Sequence, residues 1–330
     1  MKPFEYHVAT SPADAVATLA QRPEAAYLAG GTNLVDHMKL GVAEPDLLVD
    51  VSHLDLTDVT QTDDGGVTIG ANVRNSDLAA HPMIRSRYPV LARALLSGAS
   101  GQLRNSATTA GNLLQRTRCV YFQDVTTPCN KRDPGSGCSA IGGYTRYHAI
   151  LGASEHCVAA HPSDMAVAVS ALDGQIVVEG TDGSRRIPAT EFHRLPGDEP
   201  HRDTVLEHGE LITAVELPAP PPNAVSDYRK VRDRASYAFA LSSVAAELSF
   251  VGEAIATARI ALGGIAHKPW RARHAERVLT GAPATEDTFA AAADAELSHA
   301  EPLPGNEFKV ELTRRTLMAQ LRMLTERGLR

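Results

Sequence analysis

Apolar residues at helical spacing in "SPADAVATLAQR", with Ser11 as cap, Pro12 in the first turn and Asp14 near the positive end of the dipole, predict a short helix. "AAYLAG" reads as a brief buried strand that breaks at Gly30 and Gly31. "TNLVDHMKLG" then takes up helical spacing through Leu34 and Met38 until Gly41 stops it. The unit is strand, glycine turn, helix. "DLLVDVS" and "GGVTIGANV" read as strands, and Asp77 to Ser97 as helix interrupted at Pro82 and Pro89. "SDMAVAVSAL" is a helix capped by Ser163, followed by strands in "GQIVVEG" and "ELITAVELP".

Two stretches break this rhythm. "PAPPPN", Pro218 to Asn223, can continue neither helix nor sheet, reads as a stiff linker and marks a domain boundary. Beyond it "YRKVRDR", "ALSSVAAELSF" and "ATARIALGGIA" predict an antiparallel sheet, with helices in "RARHAERVLTG", "EDTFAAAADAEL" and "EFKVELTRRTLMAQLRMLTERG". Arg116 to about Gly152 shows neither apolar period, is rich in Gly, Pro, Asn, Asp and Arg, and far exceeds the ~15 residues of an ordinary connection. Something other than a hydrophobic core has to hold it.

Composition sharpens this only a little. With 43% hydrophobic and 22% charged residues, the chain has material for a sizeable core. A formal net charge of -7 with both signs scattered argues against a nucleic-acid partner and against an anionic membrane surface. No apolar segment follows Lys2 as in a secretory signal, and no run of apolar residues is long enough to span a bilayer. The expectation is no membrane insertion and no export signal in this chain, with export on a signal-bearing partner left open.

Candidate chemistry falls in three places. Glycines between a strand and a helix allow close backbone approach, and N–H groups at a helix start suit a pyrophosphate, so Gly30, Gly31, Thr32 and Asn33 form a first candidate loop. Thr108, Thr109, Gly111 and Asn112, in "ASGQLRNSATTAGNLLQ", form a second. Taken alone, the first reads more readily as an ordinary turn, and the second equally as a capped turn. Asp164 suits a first helical turn whatever else it does, and Lys230 in "YRKVRDR" reads more readily as a solvated charge than as a contact.

The third place holds every cysteine of the chain. Cys119, Cys129, Cys138 and Cys157 are separated by nine, eight and eighteen residues. Thiolates bound to a metal centre can order a segment that lacks a core. Two disulfides, a structural zinc and an iron-sulfur cluster are the candidates. Disulfides typically staple small core-poor domains, and zinc favours closely spaced pairs, but spacing alone leaves zinc and cluster level. Arg116, Arg118, Lys131 and Arg132 flank the first two cysteines. They fit an anionic cluster, a solvated loop or a partner surface. His148, His156 and His161 read as bystanders.

"AGGTNLVDHMKLG", "ASGQLRNSATTAGN", "HPSDMA" and "RDRASYAFALSSVAAEL" occur in the order and spacing of the FAD-binding medium subunit of the molybdenum hydroxylases, the xanthine dehydrogenase, aldehyde oxidase and carbon monoxide dehydrogenase family, which the chain resembles over nearly its whole length. Within that family the cysteine-bearing segment most closely resembles the flavin and iron-sulfur subunit of bacterial periplasmic aldehyde oxidoreductases. The resemblance implies an α+β protein. A two-part FAD-binding domain of the vanillyl-alcohol oxidase (PCMH) type spans residues 1-220, with an iron-sulfur insertion at about 116-158. A smaller antiparallel α+β domain of the CO dehydrogenase flavoprotein type spans 224-330.

Carried onto this chain, the resemblance implies that Ala29, Gly30, Gly31, Thr32, Asn33 and Leu34 wrap the FAD pyrophosphate, with Thr108, Thr109, Gly111 and Asn112 as a second clamp. Ala110 stands where the family's second loop has the first of two adjacent glycines. Asp164 would meet ribityl or ribose hydroxyls, and the strand from Leu211 to Val215 together with Lys230 would border the adenine and flavin ends. Cys119, Cys129, Cys138 and Cys157 would hold a [4Fe-4S] cluster. No residue is assigned to catalysis, because the family oxidises its substrate on another chain. The expected partners are a molybdenum-cofactor large subunit and a [2Fe-2S] small subunit in a heterotrimer, plus an external electron acceptor. The expected address is the periplasm, by co-export with a signal-bearing partner, or else the cytoplasm. The rival readings are a zinc-stapled scaffold subunit and a free-standing flavin oxidase.

Overall fold

Pro12, Pro82 and Pro89 all stand in the first turn of a helix, where a missing N–H leaves no bond unmade. In the computed structural model, which describes residues 1–329, the interrupted helical stretch becomes three helices, Asn75–Ala80, Pro82–Arg87 and Pro89–Ser97. The expected caps form: the Ser11 side chain accepts from the N–H of Asp14, and that of Ser163 from the N–H of Ala166. Gly41 ends Leu34–Leu40 with φ of 72°, a left-handed stop suited to glycine.

Three sheets organise the chain. Glu5–Val8 and Ala25–Leu28 flank Leu47–Asp50 in a parallel three-stranded sheet. The second sheet is antiparallel, in the order Val59–Gln61, Val67–Gly70, Leu211–Leu217, Gln175–Gly180, Gly183–Pro188. The third, also antiparallel, runs Trp270–Arg271, Ala254–Gly263, Ser242–Val251, Val225–Val231. It carries the helices Arg273–Leu279, Glu286–Leu297 and Phe308–Gly328 over a core of Val244, Leu248, Ile260 and Leu321.

The helix Asp164–Ala171 is buried at every position, as its apolar circumference requires. It packs on Ser242–Val251 and Ala254–Gly263 from the opposite side to the three helices, so Ser242–Val251 is covered on both faces. The largest core accordingly joins Val167 and Leu91 to Tyr228, Ala245 and Ala261, and so runs past the proline-rich linker. That junction is where the chemistry-bearing residues meet.

Candidate functional site

The two glycine-containing loops lie against each other. A Cβ at Gly30 would fall 2.1 Å from the carbonyl oxygen of Ser106, whose hydroxyl donates to Gly30 O at 2.9 Å. Gly30 is therefore required by the packing of one loop on the other. Gly31 has φ of 70°, open to glycine and strained for other residues. The backbone N–H groups of Gly30, Gly31, Thr32 and Asn33 have no hydrogen-bond partner among the described residues, which leaves a run of donors of the kind that binds anions.

Three cavities form a row from these loops. One of about 250 Å³ is lined by Ala29, Gly30, Gly31, Leu34, Thr108 and Ile212. The next, of about 330 Å³, shares Thr32, Asn33 and Gly111 with it and is walled further on by Asn112, Asp164 and Lys230. The third, of about 410 Å³, shares Arg118, Pro162, Asp164, Tyr237, Ala238 and Phe239 with the second. An elongated ligand with an anionic middle fits the first two: the free N–H donors of Thr32 and Asn33 lie where the cavities join, and Leu95, Leu103 and Met165 line an apolar slot in the second. These are the features a FAD molecule needs.

Lys230 is not solvated. Its Nζ donates to Asp164 Oδ2 at 2.7 Å and to Ser97 O at 3.1 Å, and the side chains of the pair are only 4% and 7% exposed. The Tyr228 hydroxyl donates to the other Asp164 oxygen, and burial, then the Asp164 charge, push that phenol well above its ordinary range. Asp164 faces both the second and the third cavity, so a fixed, neutralised ion pair sits where they meet.

Not every expected contact reaches the row. Thr109 is 1% exposed and spends both its N–H and its hydroxyl on Val73 O. Val215 is wholly buried in the main core and lines none of the three cavities, whereas Leu211 and Ile212 do line the first. A register shift lies between them: Val177 pairs with Ala214 but Val178 with Ile212, so the bulge at Thr213 brings Ile212 into the same core as Val215. Asn33 and Asn112 line the second cavity, yet Asn33 Oδ1 accepts from Arg116 N at 2.9 Å and Asn112 Oδ1 accepts from Ser163 Oγ at 2.6 Å. Their amides brace the site's walls.

The segment after Gln115 has one short helix, Val120–Gln123, and is held mainly by polar groups. Phe122 is fully buried beneath the Arg116 guanidinium, 4.6 Å from its ring centre. Lys131, 2% exposed, pairs with Asp203 and donates to Pro200 O at 2.7 Å, and Arg116 reaches Asp203 at 2.7 Å. Burial opposes ionisation of Asp203, but Arg116 and Lys131 overcome it and hold the carboxyl well below the usual range. Arg132 donates to Tyr121 O and Phe122 O, at 2.9 and 2.7 Å, and Arg118 to Arg116 O. These cations are structural clamps, which corrects the reading of a solvated basic loop. Asp203 carries no local signal in sequence, because its partners lie far upstream.

All four cysteines are free thiols, including Cys129 and Cys138, which face each other across an isolated antiparallel bridge. Burial pushes Cys119 up to about 11, with the neighbouring Cys129 and Cys138 adding to it. It pushes Cys157 up to about 12, a rise that Lys131 opposes and Cys138 and Cys119 reinforce. The fold thus brings four widely spaced thiols within electrostatic reach of one another. Among the described residues, however, no group of three or more His, Cys, Asp or Glu side chains is arranged to hold a metal ion. His148 is no bystander in position: its Nε2 lies 3.1 Å from Cys119 Sγ.

Residues 2–220 match the family model of the FAD binding domain in molybdopterin dehydrogenase, and residues 226–323 that of the CO dehydrogenase flavoprotein C-terminal domain. The chain is 53% identical to the aldehyde oxidoreductase FAD-binding subunit PaoB of Escherichia coli, covering 97% of this chain and 98% of that one. It is 27% identical to the carbon monoxide dehydrogenase medium chain of Hydrogenophaga pseudoflava, covering 91% and 88%. A solved structure of carbon monoxide dehydrogenase from Hydrogenophaga pseudoflava superposes with a TM-score of 0.78 at 26% identity, over 98% of both chains. Together with the paired glycine loops and the row of cavities beside them, these matches establish that the chain belongs to the FAD-binding subunits of the molybdenum hydroxylases.

Proposed function

We propose that this chain is the FAD- and [4Fe-4S]-containing electron-transfer subunit of a molybdenum-dependent aldehyde oxidoreductase, accepting electrons from a [2Fe-2S] subunit and passing them to an external acceptor. The observation that carries the aldehyde assignment is the 53% identity to an aldehyde oxidoreductase subunit across almost all of both chains. Bound FAD would supply one- and two-electron carriage. The free N–H groups from Gly30 to Asn33 would hold its pyrophosphate, and Lys230, fixed by Asp164, would present a buried cation beside its ring system. Substrate oxidation belongs to a molybdenum-cofactor large subunit, so no side chain here is assigned a bond-breaking role.

The cluster assignment rests on the chemistry of the donor set. All four cysteines of the chain lie in this one segment as free thiols, Cys129 faces Cys138 across a bridge, and soft sulfur donors suit iron and sulfide. The proposed division is a FAD-binding domain over 1-220, the iron-sulfur insertion at about 116-158, and a C-terminal domain over 224-330. Among the described residues no helix is long and apolar enough to cross a membrane. We place the heterotrimer in the periplasm, carried there by a signal-bearing partner. Two experiments test this. Changing any one of the four cysteines to Ser should lower iron and labile sulfide together while FAD is largely kept, and full iron in any variant removes that residue from the set. Cell fractionation with and without the small subunit should find the chain in the periplasm only when that subunit is present; a cytoplasmic chain in both cases refutes co-export.

A further inference from the structure

Three histidines lie near the cysteines in sequence, and the fold sends them different ways. His156, next to Cys157, turns its ring towards the carboxylates of Glu155 and Asp198. His161 packs on the ring of His193, with 4.3 Å between their centres. Among the described residues, His148 alone of the three has a thiol as its hydrogen-bond partner: its Nε2 lies 3.1 Å from Cys119 Sγ, well inside the range for a bond to sulfur.

The ring is held in that place. It is 3% exposed and stacks on Tyr121 with 27° between the planes. The backbone beneath it is clamped, its N–H donating to Thr145 O at 2.8 Å and its carbonyl accepting from Lys309 Nζ at 2.8 Å and Asn306 Nδ2 at 3.3 Å. Both of those side chains are fully buried and come from the C-terminal domain. The position of the imidazole proton follows from its partners. His148 Nδ1 is shielded from solvent and has no hydrogen-bond partner, and an N–H buried there would be stranded without an acceptor. The one N–H of a neutral ring therefore belongs on Nε2, against the sulfur. A cysteine that has given up its proton to become a metal ligand supplies the acceptor.

We infer that His148 is a positioning residue for the cluster proposed above, its Nε2–H donating to the ligand sulfur of Cys119 and raising the cluster's reduction potential. Reduction adds one electron, and part of its charge falls on the ligand sulfurs. A fixed donor at one of them stabilises the reduced form more than the oxidised form. The backbone N–H groups of Phe122 and Tyr121 also favour the ionised form of the same thiol, so the donor is added where negative charge is already supported.

The test compares the anaerobically purified native assembly carrying wild type, His148→Phe and His148→Gln. Each is titrated with dithionite while the EPR signal of the cluster reports the reduced fraction, and iron and labile sulfide are measured alongside. His148→Phe keeps a ring but has no donor. It should disfavour reduction about tenfold, a potential lower by about 59 mV for a one-electron couple, with iron and sulfide retained. His148→Gln, which restores an N–H, should recover most of that shift. A glutamine variant no better than the phenylalanine one overturns the hydrogen bond. Should His148→Phe lose its cluster, the wild type still decides. With 15N in histidine alone, pulsed EPR of the reduced cluster should show one weak nitrogen coupling. No coupling overturns the inference, and a coupling of the strength of a direct ligand overturns it by making His148 part of the ligand set. Full iron with unchanged potential in His148→Phe refutes the role of His148 alone, whereas wild-type iron no higher than the [2Fe-2S] subunit accounts for refutes the cluster on which that role depends.

Discussion

Replacing Lys230 with Met tests the ion pair at the centre of the site. The substitution keeps most of the side-chain volume but leaves the Asp164 carboxylate, 7% exposed, with only the Tyr228 hydroxyl as partner. Stranding one charge of a buried pair costs about 3–5 kcal/mol, because the desolvation of the remaining ion is no longer offset. At about 2 °C per kcal/mol for a chain of this size, the melting temperature should fall by about 6–10 °C. Flavin absorbance per chain should fall with it, since Lys230 walls the second cavity. Asp164→Asn alone should also destabilise, by leaving the ammonium uncompensated. The double variant should be more stable than Lys230→Met alone, because no charge is then stranded, with a coupling energy of about 1–3 kcal/mol in the double-mutant cycle. Thermal melts of the four proteins measure this. Additive losses, or a Lys230→Met protein with unchanged melting temperature and full flavin, would refute the argument.

Gly31→Val should lose flavin, since a β-branched residue is poorly accommodated at φ of 70° and its Cβ would lie 3.2 Å from Val35 Cγ2; flavin absorbance per chain reads the outcome. Lys309, fully buried and donating to His148 O at 2.8 Å and Gly264 O at 2.6 Å, is lowered by burial to about 7. From about pH 7 up towards the unfolded value, the unfolded chain holds a proton the folded chain has released, so stability should rise with pH by at most about 1.4 kcal/mol per unit. Denaturant melts from pH 7 to pH 9 should show that rise in the wild type and a flatter curve in Lys309→Met.

Much of this architecture is written in local pattern. Caps at Ser11 and Ser163, prolines at helix starts and the glycine stop at Gly41 act within a few residues of themselves, and the structure follows them. The strand Gly183–Pro188 escaped because most of it is exposed and charged: Arg185 and Arg186 pair with Glu210 and Glu216 along an edge. The strand Val59–Gln61 is too short to show a period. Within the site, the glycine loops and Asp164 were legible as motifs, but which strand residue faces the cavity was not. The strand is bulged at Thr213, a feature that exists only in the pairing with Val177 and Val178. Lys230 sits in a charge-rich strand whose burial comes from Ser97 and Asp164, distant in sequence. The cysteine segment shows the same limit. Its anchors, Asp203, Asn306 and Lys309, lie well downstream and meet it only in three dimensions.

The most direct test of the account is the cofactor content of the native assembly, purified anaerobically and analysed for flavin, iron, labile sulfide and zinc. The account predicts FAD at one per copy of this chain, and iron with matching sulfide in excess of what the [2Fe-2S] subunit holds, the excess disappearing with the cysteine variants. Stoichiometric zinc with no such excess iron would contradict the cluster, and an assembly without flavin would contradict the site itself.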